Sequence, residues 1–133
     1  MIYMLDTNIC IYVINARPQK VLDRFKRERI GSVGISSVTA AELAFGAAKS
    51  GSARNREALE MFLAPLDILP FDDSVIWYYA DLRAELERRG QPIGALDTMI
   101  AAHALASNTI LVTNNTRAFA RVPELRLQNW ADE

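Results

Sequence analysis

Three acidic residues lie in apolar segments of this 133-residue chain, each where a strand ends or a helix begins. Asp6 follows the apolar run 2–5, Glu42 lies at the start of an Ala-rich helix, and Asp97 lies at the start of another. Taken singly, each carboxylate is also explained as a helix cap. If they converge, two charges about 4 Å apart repel by about 4 kcal/mol at an effective dielectric near 20. Such a cluster is stable only when it is protonated or neutralised by a cation.

The residues available as ligands indicate which cation this would be. Cys10 and His103 are the only cysteine and histidine of the chain, so the three carboxylates offer oxygen alone. Oxygen ligands suit a hard divalent ion, which predicts Mg²⁺, with Mn²⁺ as the alternative, rather than zinc. His103 lies six residues after Asp97, on a different face of the same helix, and is interpreted as a packed structural residue.

Short apolar strands alternate with helices along the chain, and these elements have to position the carboxylates. The predicted strands cover residues 2–5, 33–36, 68–69, 109–112 and, at an edge, 125–127. This alternation predicts an α/β fold, a single domain over residues 1–133 with a mostly parallel central sheet. Ligands gather at the carboxyl ends of such strands, where Asp6 and Asn115 are both expected. Thr39 is predicted to cap the third helix, with Glu42 completing a capping box.

Composition excludes some classes of protein. Fifteen basic and sixteen acidic residues give a net charge of −1, so bulk positive charge does not hold a nucleic acid. The basic stretch 17–29 is interpreted as the solvated face of a helix, with phosphate contact as the alternative. The single cysteine and the absence of a signal peptide or an apolar run of about 18 residues predict a cytoplasmic protein that does not enter a membrane. At least one of the adjacent residues 77–79 is expected at the surface, at a dimer or partner contact.

Four short motifs follow one another along the chain, and their order carries more information than any one of them. They are Asp6-Thr7-Asn8, residues 37–43 with Gly46, residues 92–97 leading into 100–104, and residues 111–115 with Phe119. This series, which runs from Ile2 to Trp130, resembles the PIN domain and closely the VapC-type toxins of bacterial toxin–antitoxin pairs. The resemblance implies a three-layer α/β/α fold.

The resemblance also implies roles for individual residues. Asp6, Glu42 and Asp97 match the three acidic residues that bind divalent metal in this family. Asn115 matches a fourth position that is often aspartate, so here the site has one negative charge fewer. The supporting positions are Thr7, Asn8 and Thr113, of which the two threonines match hydroxyls near the metal.

The activity implied is magnesium-dependent, site-specific cleavage of tRNA or another structured RNA, which inhibits translation. A metal-activated water would leave a 5′-phosphate and a 3′-hydroxyl, whereas metal-free cleavage by paired histidines needs a second histidine beside His103. The implied partners are a VapB-like antitoxin, a homodimer and a larger toxin–antitoxin assembly, with operator DNA bound only through the antitoxin. Two alternatives stay open: a catalytically silent RNA- or protein-binding PIN module, and a phosphatase that uses Asp6 as nucleophile. Such a phosphatase needs an aspartate where this chain has Asn8.

Overall fold

Five short strands form one parallel sheet in the computed structural model, which describes residues 1–132 and leaves Glu133 outside. The strands are β1 (Tyr3–Leu5), β2 (Val33–Ser36), β3 (Asp67–Leu69), β4 (Ile110–Val112) and β5 (Leu127–Gln128). They lie in the order β3-β2-β1-β4-β5, and every neighbouring pair is parallel. The predicted α/β class with a mostly parallel sheet is therefore confirmed.

Helices connect the strands and cover both faces of the sheet. They are α1 (Thr7–Asn15), α2 (Gln19–Arg27), α3 (Ser37–Ser50), α4 (Ala53–Leu63), α5 (Ile76–Arg88), α6 (Ala95–Ser107) and α7 (Thr116–Phe119), with a 3₁₀ turn at Asp73–Val75. Successive residues of a strand point to opposite faces of a sheet. Met4 and Leu111 accordingly pack in one buried cluster with residues of α5 and α6. Leu5 and Val112 pack in a second cluster with residues of α1 to α4. The sheet therefore has one buried cluster and one layer of helices on each face, which gives the three-layer α/β/α arrangement.

Several predicted element boundaries are wrong by a residue or more, and the larger differences concern α3 and β5. Helix α3 begins at Ser37 rather than after Thr39, and its cap is Ser36, whose hydroxyl accepts a hydrogen bond from the Val38 N–H at 3.1 Å. Glu42 therefore lies in the second turn and is not a capping-box residue. The edge strand β5 begins at Leu127, because its register is set by pairing with β4 rather than by its own apolar residues.

The basic stretch and the adjacent aromatic residues divide between structural and exposed positions. Arg24 lies 4.8 Å from the centre of the buried Trp130 ring and pairs with Glu28 at 3.0 Å, which makes it a packing residue. Trp77 and Tyr78 are 73% and 49% exposed, as expected for at least one of the three aromatics. No helix within residues 1–132 is long and apolar enough to cross a membrane.

Candidate active site

Asp6 is held at the carboxyl edge of the sheet by its two neighbouring elements. It follows β1 and caps α1, where its Oδ1 accepts a hydrogen bond from the Ile9 N–H at 3.0 Å. Leu5 is in register with Val112 of β4, so the next residue of each strand is also a neighbour. The Thr113 hydroxyl accordingly donates a short hydrogen bond to Asp6 Oδ2. Both carboxylate oxygens are thus fixed in direction.

Burial and charge leave Asp6 in an environment unfavourable to its ionised form. Asp6 is only 5% exposed, and burial raises the pKa of its carboxyl group from the ordinary 3.8 to about 6. The hydrogen bonds from Thr113 and Ile9 oppose this rise, while the negative charges of Asp97 and Glu42 add to it. Burial and the charge of Glu42 likewise raise the pKa of Asp97. The three carboxylates predicted from the sequence therefore act on one another.

Glu42 and Asp97 reach this edge from two different helices. Glu42 lies half-buried on α3, and its Oε1 accepts a hydrogen bond from the Thr7 hydroxyl at 2.7 Å. Asp97 lies half-buried in the first turn of α6, where the free N–H groups favour a negative charge. Thr7, the first residue of α1, connects the helix that Asp6 caps with the carboxylate of Glu42.

The segment after β4 contributes the Thr113 hydroxyl directly and Asn115 through its backbone. The Asn115 N–H donates to Thr113 Oγ1 at 2.9 Å, so Thr113 links Asp6 to the following loop. The Asn114 amide donates to the Tyr12 hydroxyl at 2.6 Å, a contact that no sequence motif indicated. Asn8 and Asn115 are exposed residues. Within residues 1–132, neither side chain forms a hydrogen bond to any of the three carboxylates.

The donor chemistry of this edge fits a hard divalent cation. It combines three carboxylates that repel one another with the hydroxyls of Thr7 and Thr113, and it contains no sulfur. The Thr39 hydroxyl, on the same helix as Glu42 and three residues before it, is fully buried and finds no hydrogen-bond partner in the described part of the chain. A buried polar atom without a partner is typical of a place that a water or an ion completes. No three acidic, histidine or cysteine side chains of residues 1–132 are close enough to coordinate one ion together as they stand.

His103, on α6, is hydrogen-bonded to the start of α3 and so joins two helices. Its Nδ1 is 2.7 Å from the hydroxyl of Ser36, the residue that caps α3, and its ring meets Phe71 edge-on. His103 is 2% exposed, and burial lowers its pKa. The interpretation of His103 as a packed, hydrogen-bonded residue agrees with these contacts.

The sequence and the fold place the chain in a known class of proteins. The sequence matches the PIN domain over residues 3–125. The chain therefore belongs to the PIN-domain family.

Within that family the chain is similar to VapC ribonucleases. It is 45% identical over 132 residues to Ribonuclease VapC2 of Rickettsia felis, covering 98% of each chain. It is also 45% identical over 130 residues to the tRNA(fMet)-specific endonuclease VapC of Shigella flexneri, covering 97% of this chain and 98% of that protein. Among solved structures, VapBC2 from Rickettsia felis bound to a promoter DNA fragment contains a chain that matches with a TM-score of 0.88 and 44% identity, over 98% and 99% of the two chains.

Proposed function

We propose that this protein is a magnesium-dependent endoribonuclease toxin that cuts tRNA or another structured RNA. The observation that carries the proposal is the set of carboxylates of Asp6, Glu42 and Asp97 at the carboxyl edge of the sheet, in which burial and the neighbouring negative charges raise the pKa of Asp6 and of Asp97. A divalent cation removes that repulsion. The similarity to Ribonuclease VapC2 and to a tRNA(fMet)-specific endonuclease supports RNA as the substrate.

Asp6, Glu42 and Asp97 are the residues proposed to hold the ion, Mg²⁺ or alternatively Mn²⁺. When bound, the ion supplies positive charge to the scissile phosphate and lowers the pKa of water. The Thr113 hydroxyl and the Ile9 N–H hold the Asp6 oxygens in one orientation, and the Thr7 hydroxyl does the same for Glu42. In-line attack by water leaves a 5′-phosphate and a 3′-hydroxyl.

The proposal places Asn115, rather than an acidic residue, at the fourth position around the ion, so that this position carries no charge. A second divalent ion gains less electrostatic stabilisation from three carboxylates and a neutral amide than it would from four carboxylates. The proposal therefore gives Asn115, Asn8 and the hydroxyls of Thr7 and Thr113 a supporting role around the carboxylates.

The solved relatives also suggest the assembly in which the protein acts. A matching chain lies in a VapBC2 complex bound to promoter DNA. The proposal therefore includes a VapB-like antitoxin as partner, operator DNA bound through that antitoxin, a homodimer within a larger assembly, and a cytoplasmic site of action. It also treats residues 1–133 as a single PIN domain.

Cleavage of purified tRNA, followed by mapping of the fragment ends, tests this proposal. Discrete cuts are expected with Mg²⁺ but not with EDTA, and are expected to be lost in Asp6→Asn, Glu42→Gln and Asp97→Asn. Asp81→Asn removes one exposed carboxylate from α5 and is the matched control. Ends with 2′,3′-cyclic phosphate would overturn the mechanism. Failure to cut any cellular RNA, despite calorimetric Mg²⁺ binding, would favour the catalytically silent PIN module.

A further inference from the structure

A groove of about 370 Å³ opens beside the candidate active site and shares with it one carboxylate, that of Glu42. It runs between α1, α3 and α4, and Thr7 and Glu42 form its end nearest the carboxylates. The hydrogen bond between these two residues therefore belongs both to the site and to the groove wall. A substrate whose phosphate lies at the carboxylates has its neighbouring parts at the mouth of this groove.

The lining of the groove combines apolar walls with a few polar side chains. Ile11 and Ile14 of α1 face Leu43 of α3 and Leu59 of α4 across it. The polar lining residues are Asn15, Arg54 and Asn55, in addition to Thr7 and Glu42. Apolar walls with a small number of polar groups are typical of pockets that bind small molecules, and this volume lies in the range of such pockets.

These groups match the chemistry of a nucleobase better than that of other parts of an RNA chain. A base in single-stranded RNA is recognised when it is splayed out, stacked on a flat side chain and hydrogen-bonded along its edges. The two amides offer both donors and acceptors for base edges, and the guanidinium of Arg54 offers a plane for stacking and a positive charge for the adjoining phosphate. Glu42, at the end shared with the site, is the one acidic residue of the lining.

We propose that this groove binds the nucleobase next to the scissile phosphate and so contributes to the choice of cleavage site. The inference rests on the proposed ribonuclease function and adds a base-recognition pocket to it. A partner protein segment is the competing occupant. The continuity of the groove with the carboxylates through Thr7 and Glu42 favours the base, because the base is joined to the phosphate through one sugar.

Gly46 provides a way to close the groove without altering its polar groups. It lies in α3 and lines the groove, and a Cβ added there meets no atom within 4 Å. Gly46→Leu therefore fills the groove from the α3 side without a backbone clash, and leaving glycine also favours the helix. Ala44→Leu adds a larger side chain to an exposed position of the same helix that does not line this groove, which makes it the matched control.

The test pairs this variant with a change in the substrate. An RNA oligonucleotide that spans the mapped cut is compared with versions that are abasic on either side of the scissile phosphate, under single-turnover conditions. With wild-type protein, one abasic version is expected to lose at least tenfold in kcat/KM. Gly46→Leu is expected to lose a similar factor on the intact RNA and to lose little more on that abasic version. Ala44→Leu is expected to behave as wild type on both.

The possible results distinguish base binding in the groove from the ribonuclease activity itself. Full cleavage by Gly46→Leu, or losses that multiply when variant and abasic RNA are combined, would overturn base binding in the groove while leaving the ribonuclease proposal intact. If Gly46→Leu cuts RNA normally but no longer binds the antitoxin, base binding in the groove is also overturned, and the groove is assigned to a protein segment. If the wild-type protein cuts no RNA, the ribonuclease proposal fails, and this inference fails with it. Calorimetric Mg²⁺ binding and urea unfolding of Gly46→Leu check that the site and the fold are retained.

Discussion

Asp6→Asn is expected to make the metal-free protein more stable at neutral pH, although it removes a predicted metal ligand. Burial raises the pKa of Asp6 from 3.8 to about 6 in the folded protein. The folded state therefore favours the protonated carboxyl, and its contribution to stability is complete below pH 3.8 and lost as pH rises through 6. Each unit by which the pKa differs between the unfolded and folded states is worth about 1.4 kcal/mol. At pH 7.5, above both pKa values, ionised Asp6 therefore lowers the free energy of unfolding by about 3 kcal/mol.

The asparagine side chain of this variant resembles a protonated aspartic acid side chain in shape and carries no charge. Its oxygen still accepts the hydrogen bond from the Ile9 N–H, and its amide lies against the Thr113 hydroxyl. The gain in the free energy of unfolding is expected to reach up to about 3 kcal/mol at pH 7.5 and about half of that at pH 5, where wild-type Asp6 is largely protonated when folded. Urea unfolding in EDTA at both pH values measures it, with equal m-values as the condition for comparison.

Two controls show whether the effect belongs to the buried carboxylate. Asp81→Asn, at an exposed position of α5, is expected to change stability by less than about 0.5 kcal/mol at either pH. Mg²⁺ at about 100 times its Kd is expected to stabilise the wild type by about 2.7 kcal/mol and Asp6→Asn by much less. A variant that is no more stable than wild type at pH 7.5, or one whose gain is the same at pH 5, would refute this electrostatic reasoning.

Three further predictions concern neighbouring contacts. Thr7→Val removes the hydrogen bond to Glu42 and is expected to slow single-turnover RNA cleavage about tenfold, whereas Thr7→Ser keeps the rate near wild type; equal rates in both variants would contradict a positioning role. His103→Leu leaves the buried Ser36 hydroxyl without this partner and is expected to cost about 1–3 kcal/mol in urea unfolding. His103→Asn is expected to recover part of that loss, and no recovery would show that ring packing alone matters. Phe119→Ala empties a position that is 1% exposed and is expected to cost about 3–5 kcal/mol; a loss below 1 kcal/mol in the same assay would show that the core collapses around it.

The sequence predicted the carboxylate edge because its signals are local. Asp6 ends an apolar run and Asp97 begins an apolar helix, so the topology of a parallel sheet is enough to bring them to one side. The cap of α3 was misassigned because 36–39 contains three residues able to cap a helix, and only the end of β2 decides among them. The bond between Asn114 and Tyr12 joins residues far apart in sequence and had no local signal.

The groove could not be predicted for a related reason. Its walls come from α1, α3 and α4, and its shape depends on how these helices pack rather than on any motif. Gly46 shows the difference clearly. The motif series included it by position, but only the packing shows that this glycine leaves open space beside Glu42.

The central place of β1 in the sheet has a consequence for how the protein is made. β1 pairs with β2 on one side and with β4 on the other, and β4 is among the last elements of the chain. A nascent chain lacks both the second neighbour of β1 and the Thr113 hydroxyl that orients Asp6 until residues 110–113 have been synthesised. A nascent chain therefore cannot assemble the carboxylate edge before β4 and Thr113 have left the ribosome and paired with β1 and Asp6.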